Sequence, residues 1–293
     1  MRIDRFRVRH GDGRALKRLH PDSTGPFRDK AAATGRLTAA LERIDGLQER
    51  LYASDRYALL LVFQGMDAAG KDSAIKHVLA TANPQGTEVH AFKQPSAEEL
   101  GHDFLWRAVK ALPARGRIGI FNRSYYEDVV VVRVHPEFLA GQHLPPALVT
   151  SRLWNDRYED INAFERHLAR SGTVVLKFFL HVSRKEQARR LIERLDDPAK
   201  HWKFSIGDLA ERSRWKDYRD AYARAIAATS HRHAPWYVVP ADQKWFAHAL
   251  IAEVVAETLE GLDLSLPKFG PDLARGVARA RRTLTRELSR RSR

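Results

Sequence analysis

Apolar positions along the chain fall into short unbroken runs separated by stretches with helical spacing. Residues 58–63, Ala-Leu-Leu-Leu-Val-Phe, contain no polar position. Such a run before a glycine turn predicts a strand buried on both faces, the habit of parallel sheets. Thr87–Phe92, Arg117–Phe121, Thr173–Leu180 and Trp236–Val239 repeat the pattern. Between them the period changes: Leu37, Leu41, Ile44, Leu47 and Leu51 predict an amphipathic helix over residues 36–52. Further helical patterns cover Phe104–Leu112, Ala147–Ala169 and Asp208–Ala228. Strands alternating with helices predict an α/β fold with a central parallel sheet flanked by helices. Residues 1–34 read as polar, with the loop signals His-Gly-Asp-Gly and His-Pro-Asp-Ser-Thr-Gly-Pro. Neither an internal repeat nor a low-complexity linker interrupts the chain. Residues 1–265 therefore read as one domain with an N-terminal helical extension, and 266–293 as a basic tail.

Charge adds a partner class. The chain has 293 residues, 50 Lys+Arg against 36 Asp+Glu, and a formal net charge of +14. Thirteen of the basic residues are lysine and thirty-seven arginine, whose planar fork of donors matches phosphate oxygens. That excess suits a polyanion: nucleic acid, anionic lipid or a phosphorylated small molecule. It also suits a merely soluble surface. From Gly270 to Arg293 there are eight arginines and two acids, read as a solvated basic end, with an oligomer contact or a polyanion-attracting arm as the alternatives. Cysteine is absent, which excludes disulfides, thiolate metal sites and a cysteine nucleophile. No run approaches the roughly 18 apolar residues of a membrane span. The N-terminus has charges but no apolar signal core. A cytoplasmic location without membrane association is the expectation.

The strongest local motif is Gln64-Gly-Met-Asp-Ala-Ala-Gly-Lys-Asp-Ser73. It contains G-x-x-x-x-G-K between a predicted buried strand and a helix. Gly65, Met66, Ala68, Ala69 and Gly70 would wrap the backbone so that successive N–H groups face phosphate oxygens, with the helix dipole added. Lys71 supplies a positive charge for the transferring phosphoryl group. The usual hydroxyl after the lysine is replaced by Asp72, with Ser73 one place late. Asp67 inside the loop would repel phosphate unless a cation lay between, so it reads as a metal ligand or as a partner to the acceptor phosphate. A second strand ends at Phe121, and Asn122, Arg123, Glu127 and Asp128 follow it into the crevice where open α/β sheets bind ligands.

A third cluster begins at Ser183. Ser183 and Glu186 have capping-box spacing, Ala188, Leu191, Ile192 and Leu195 form a buried stripe, and Arg190 and Arg194 share a neighbouring face. Lys200, His201, Trp202 and Lys203 add a second basic cluster. Residues 183–220 thus read as an arginine-bearing helical lid that closes over phosphates. The plainer reading is a surface helix with Glu–Arg pairs such as Glu186–Arg190, worth only a few tenths of a kcal/mol. His231-Arg-His233 reads as a polar loop, and the six tryptophans as core.

These blocks, with Asn83-Pro-Gln-Gly-Thr-Glu-Val-His-Ala-Phe-Lys93, Arg214-Trp-Lys-Asp-Tyr218 and Ala234-Pro-Trp-Tyr-Val-Val-Pro240, resemble the polyphosphate kinase 2 family over roughly residues 25–260. The resemblance implies a thymidylate-kinase-like P-loop kinase fold with a helical lid. It also implies magnesium-dependent phosphoryl transfer between inorganic polyphosphate and adenine or guanine nucleotides, with manganese as a substitute metal. It makes Asp67, Lys71 and Arg123 catalytic, with Arg190 and Arg194 of the lid. Gly65, Met66, Ala68, Ala69, Gly70, Asp72, Ser73, Asn122, Arg133, Arg184, Lys185, Lys200 and Lys203 become phosphate or nucleotide contacts. Relatives with Asp-Arg-Ser-Trp-Tyr-Asn carry an acid where this chain has Asn122, which moves the second metal ligand beside Asp67 to Glu127. The form Asn-Arg-Ser-Tyr-Tyr-Glu is similar to a subgroup that uses both nucleoside mono- and diphosphates. A homo-oligomer, dimer or tetramer, is expected. The rivals are an ATP-dependent kinase of a small nucleoside-type substrate and a non-catalytic P-loop protein that binds nucleic acid, for which no recognition motif is present.

Overall fold

A computed structural model describes residues 2–268 and 270–290. Five strands form one parallel sheet in the order β2-β3-β1-β4-β5. They are β1 Ala58–Gly65, β2 Thr87–Ala91, β3 Ile118–Asn122, β4 Thr173–His181 and β5 Trp236–Pro240. Every residue of β1 is buried, as its unbroken apolar run requires of a central strand. Strand β1 pairs with β3 on one side and β4 on the other. The direction of winding reverses there, and the crevice that this reversal opens is where α/β sheets bind ligands.

Helices flank the sheet in two groups. Lys30–Ser54, Lys71–Val78 and Lys244–Glu260 pack together, as do Glu127–Val134, Leu153–Arg170 and Trp215–Thr229. The first helix begins earlier than its leucine repeat suggests, because Asp29 caps it by accepting from the Ala32 N–H at 2.8 Å. Buried Glu253 ties that helix to Lys244–Glu260 by ion pairs with Arg36 (2.6 Å) and Arg43 (3.1 Å). The expectation of a polar, loop-like start is corrected. Ile3, Phe6, Val8, Leu16 and Leu19 are buried in the main core, and the Val8 N–H donates to the Trp236 carbonyl at 2.8 Å. Five scattered apolar residues lack a period, so only the surface they cover reveals their role.

Two helical readings also change. The pattern over 208–228 is broken: Gly207–Ser213 ends at Arg214, and Trp215–Thr229 begins after it. The Arg214 guanidinium donates to the Val134 carbonyl at 2.5 Å, anchoring the break. The pattern over 147–169 yields a helix only from Leu153, preceded by a short turn at Pro146–Leu148. Pro271–Arg290 is a helix, exposed over residues 271–289, with Leu273, Val277 and Leu284 open to solvent. No described helix is long and apolar enough to cross a membrane.

Candidate active site

The phosphate loop runs from the end of β1 into the helix Lys71–Val78. Two glycines are sterically required. Gly65 has φ +156, and a Cβ there would sit 2.9 Å from the Leu180 carbonyl oxygen; Gly70 has φ +105, outside the usual range of other residues. Ala68 is also left-handed, at φ +59, a conformation that the surroundings must enforce. The enforcement is visible. The Arg190 guanidinium donates to the carbonyls of Ala68 (3.0 Å) and Ala69 (2.8 Å) from beneath the loop. Gln187 Nε2 donates to the Asp67 carbonyl at 2.9 Å. The carbonyls of Asp67, Ala68 and Ala69 are thereby occupied, and the Ala69 N–H donates to the Met66 carbonyl at 3.1 Å, which leaves the other N–H groups of the loop to face a ligand.

Lys71 is buried at the mouth of the helix, and its Nζ donates to the Gly65 carbonyl at 2.8 Å. Burial, reinforced by the nearby Arg123 cation, pushes its ammonium down to about 8. Asp72 takes the place of the usual hydroxyl, and its carboxylate accepts from Asn122 Nδ2 at 2.8 Å, linking the loop to the end of β3. Ser73 turns away, its hydroxyl lying 3.3 Å from His248 Nε2. A phosphate contact for Ser73 has no support in that geometry: one residue further along the helix is a rotation of about 100°.

Arg123 is the hub. It directly follows β3, has φ +63, and bridges two acids: Nη2 reaches Asp67 at 2.8 Å and Nη1 reaches Glu127 at 3.0 Å. Glu127 first, and Asp67 with it, hold the guanidinium well above its already high ordinary pKa. The second Glu127 oxygen, Oε1, is buried with no hydrogen-bond partner. The structure therefore brings together Asp67, Lys71, Asp72, Asn122, Arg123 and Glu127, drawn from two segments, 67–72 and 122–127. A cleft of about 800 Å³ opens beside Met66, lined among others by Arg133, Tyr158, Arg184, Trp215 and Arg224. It is roomy and basic enough for a phosphorylated substrate.

The polyphosphate kinase 2 family model matches residues 28–266, which takes in the sheet, the phosphate loop and the Arg123 segment. The chain belongs to the polyphosphate kinase 2 family. Its relatives include the "ADP-polyphosphate phosphotransferase" of Rhodopseudomonas palustris, 46% identical over 97% of this chain and 99% of that one. The "AMP/ADP-polyphosphate phosphotransferase" of Meiothermus ruber is also 46% identical, over 91% of this chain and 96% of that one. The crystal structure of polyphosphate kinase 2 from Arthrobacter aurescens TC1 superposes with a TM-score of 0.84, at 42% identity over 93% of this chain and 94% of that one. The order of the parallel strands around the phosphate loop is that of a P-loop kinase fold.

Within this polyphosphate kinase 2 chain the lid residues divide. Arg184 and Lys185 are exposed at the start of the helix Arg184–Leu195. Arg194 lies on that helix with Nη1 3.6 Å from Asp208 of the next. Lys200 is exposed and paired with Asp197 at 2.7 Å; the Lys203 side chain lies outside the described residues. Arg133 sits over the Trp154 ring, 5.4 Å from its centroid, and donates to the Tyr158 hydroxyl at 3.3 Å. Arg190 does not share their surface. It is buried, and besides the loop carbonyls it donates to those of Ala241 and Asp242 and to Glu186. Arg190 thus has another task than gripping a phosphoryl group jointly with Arg194. Four-residue spacing put both on one neighbouring face, but only one of them meets the loop.

Gln187, Tyr222 and Glu211 also reach the site although no motif marks them. Tyr222 donates to Gln64 Oε1 at 3.2 Å beneath the loop. Glu211 and Arg212 line a small pocket with Asp67, Arg123 and Glu127. Gln187 was legible in principle, since it lies one turn before Arg190 on the same face.

Proposed function

We propose that the protein transfers phosphoryl groups between inorganic polyphosphate and nucleotides, accepting both nucleoside di- and monophosphates, with magnesium as the working metal. The observation that carries this reading is the Asp67–Arg123–Glu127 triad set against the Lys71 loop. Phosphoryl transfer needs in-line positioning and neutralised charge more than covalent help. The names of the two relatives support the polyphosphate and nucleotide partners.

The residues present fit magnesium. Asp67 and Glu127 would hold it, and the unpartnered Glu127 Oε1 is a donor not yet used. Magnesium favours one or two carboxylates with substrate phosphates and water over an all-protein cage. No cluster of three or more His, Asp or Glu suited to a metal occurs among the described residues, consistent with phosphates completing the shell. When bound, the ion supplies charge neutralisation on the phosphate oxygens. Lys71 holds its proton toward the same oxygens. Arg123, released from the carboxylates, turns to the moving group. Arg190 and Gln187 keep the loop's backbone in its binding conformation. Arg133 and Arg184 line the cleft along which the remaining substrate would lie.

The test is direct. Purified protein with magnesium, long-chain polyphosphate and either ADP or AMP should form ATP from ADP, and ADP then ATP from AMP, and chelation should stop both. Absence of product with either acceptor, while ATP phosphorylates a nucleoside, would replace this reading with an ATP-dependent kinase.

A further inference from the structure

Lys177 interrupts the apolar run of β4 and is fully buried. Its ammonium pairs with the equally buried Glu165 of the helix Leu153–Arg170, and donates to the Tyr126 hydroxyl at 3.0 Å and the Thr229 carbonyl at 2.8 Å. The other carboxylate oxygen, Glu165 Oε1, receives the hydroxyls of both Tyr125 (2.8 Å) and Tyr126 (2.9 Å). The network is closed: Trp236 Nε1 donates to Thr229 Oγ1 at 2.9 Å, and Thr229 Oγ1 donates to the Ala225 carbonyl at 2.6 Å. Burial pushes the Lys177 ammonium down to about 8, with Glu165 pulling the other way.

Stability does not account for such a pair, because apolar side chains of similar volume serve as well or better in a buried site. What the pair holds does account for it. Tyr125 and Tyr126 belong to the segment between Arg123 and Glu127, and both rings descend into the core beneath it. From above, that segment is fixed by the Arg123 N–H on the Phe63 carbonyl (3.0 Å) and by Gln64 Nε2 on Ser124 Oγ (3.2 Å). From below, one carboxylate oxygen fixes two consecutive tyrosines. We propose that Glu165, braced by Lys177, is a positioning residue for phosphoryl transfer. Acting through Tyr125 and Tyr126, it sets the left-handed backbone of Arg123 and the placement of Glu127 over the phosphate loop. This rests on the reading that Arg123 and Glu127 work on the transferring phosphate. A displacement of about 1 Å in such groups is enough to cost on the order of a hundredfold in rate.

The experiment compares two charge-free variants of the full chain. Lys177→Met/Glu165→Gln keeps an acceptor for the tyrosines; Lys177→Met/Glu165→Met removes it with similar packing. Steady-state ATP formation from ADP and polyphosphate is measured with melting temperature, and Arg123→Ala is run alongside. Positioning predicts that the Gln variant stays within about threefold of wild-type kcat. The Met variant should lose about tenfold or more in kcat with KM little changed, while melting close to the Gln variant. Equal kcat in the two variants, or a loss that follows melting temperature alone, overturns the proposal. If the Met variant does not fold, Tyr125→Phe/Tyr126→Phe removes those two hydrogen bonds, together with the Tyr126 hydroxyl's contacts to Lys177 and Thr229, with the rings in place, and the same kcat loss is expected; wild-type kcat there overturns it. Wild-type activity in Arg123→Ala would instead refute the site reading on which the proposal rests.

Discussion

Replacing Arg190 separates two roles that a sequence motif cannot distinguish. A phosphate clamp would leave folding intact and lower turnover. A support beneath the loop should lose stability first. The Arg190 fork donates to the carbonyls of Ala68, Ala69, Ala241 and Asp242 and to Glu186, and the side chain is 4% exposed. Glu186 keeps Arg189 as a partner at 2.6 Å, so its charge is not orphaned. The four carbonyls lose their donor. A net loss of about 1 kcal/mol per hydrogen bond, more where the donor is charged, gives about 3–5 kcal/mol for Arg190→Ala. In a chain of this size that corresponds to a fall of roughly 6–10 °C in melting temperature. Activity should fall as well, because Ala68 and Gly70 are left-handed and the carbonyls that held them there are released. Arg190→Lys should recover little, since one ammonium cannot reach four carbonyls. The assays are denaturant and thermal unfolding beside ATP formation at saturating polyphosphate. An Arg190→Ala protein that melts within about 2 °C of wild type while turnover falls on the order of a thousandfold would refute the support. It would return the residue to the lid.

Lys71 gives a pH prediction with a definite sign. Its pKa, pushed down to about 8 in the folded chain, lies below the unfolded value near 10.4. The unfolded state therefore binds more protons between about pH 8 and 10, and stability rises with pH across that window. Lys71→Met should melt higher than wild type at pH 7, with the difference shrinking toward pH 10, while transfer is abolished; a lower melting temperature at pH 7 would show that the ammonium stabilises the free protein. For the same reason kcat/KM for polyphosphate should decline as pH rises through about 8, read from a pH profile at limiting polyphosphate. Asp67→Asn should cut turnover by about a hundredfold or more and weaken the magnesium dependence, and an unchanged magnesium titration would remove Asp67 from the metal. Deleting residues 271–293 should leave the melting temperature and turnover on short polyphosphate nearly unchanged, because the described part of that helix is exposed throughout; a folded but inactive truncation would give the tail a role.

The local chemistry of this protein was written in the order of its residues. An apolar run of six before a glycine-rich turn has few ways to satisfy its backbone, and a central parallel strand feeding a helix N-terminus is the one that also exposes a row of N–H groups. The strands, the phosphate loop, Lys71 and the convergence of Asn122, Arg123 and Glu127 at a strand end follow from such short-range constraints. The destinations of long side chains do not. Arg190 and Arg194 differ by one helical turn, yet one is buried under the loop and the other faces the next helix. Ser73 is one residue too far to face the crevice and meets His248 instead. Lys177 is the one polar letter within the apolar stretch 174–180, and Glu165 is one acid among several on its helix; neither carries a periodic mark. Their meaning comes from burial. Once packing removes water, an ammonium, a carboxylate and two phenols must satisfy one another, and that requirement exists only where the tertiary structure has brought them together.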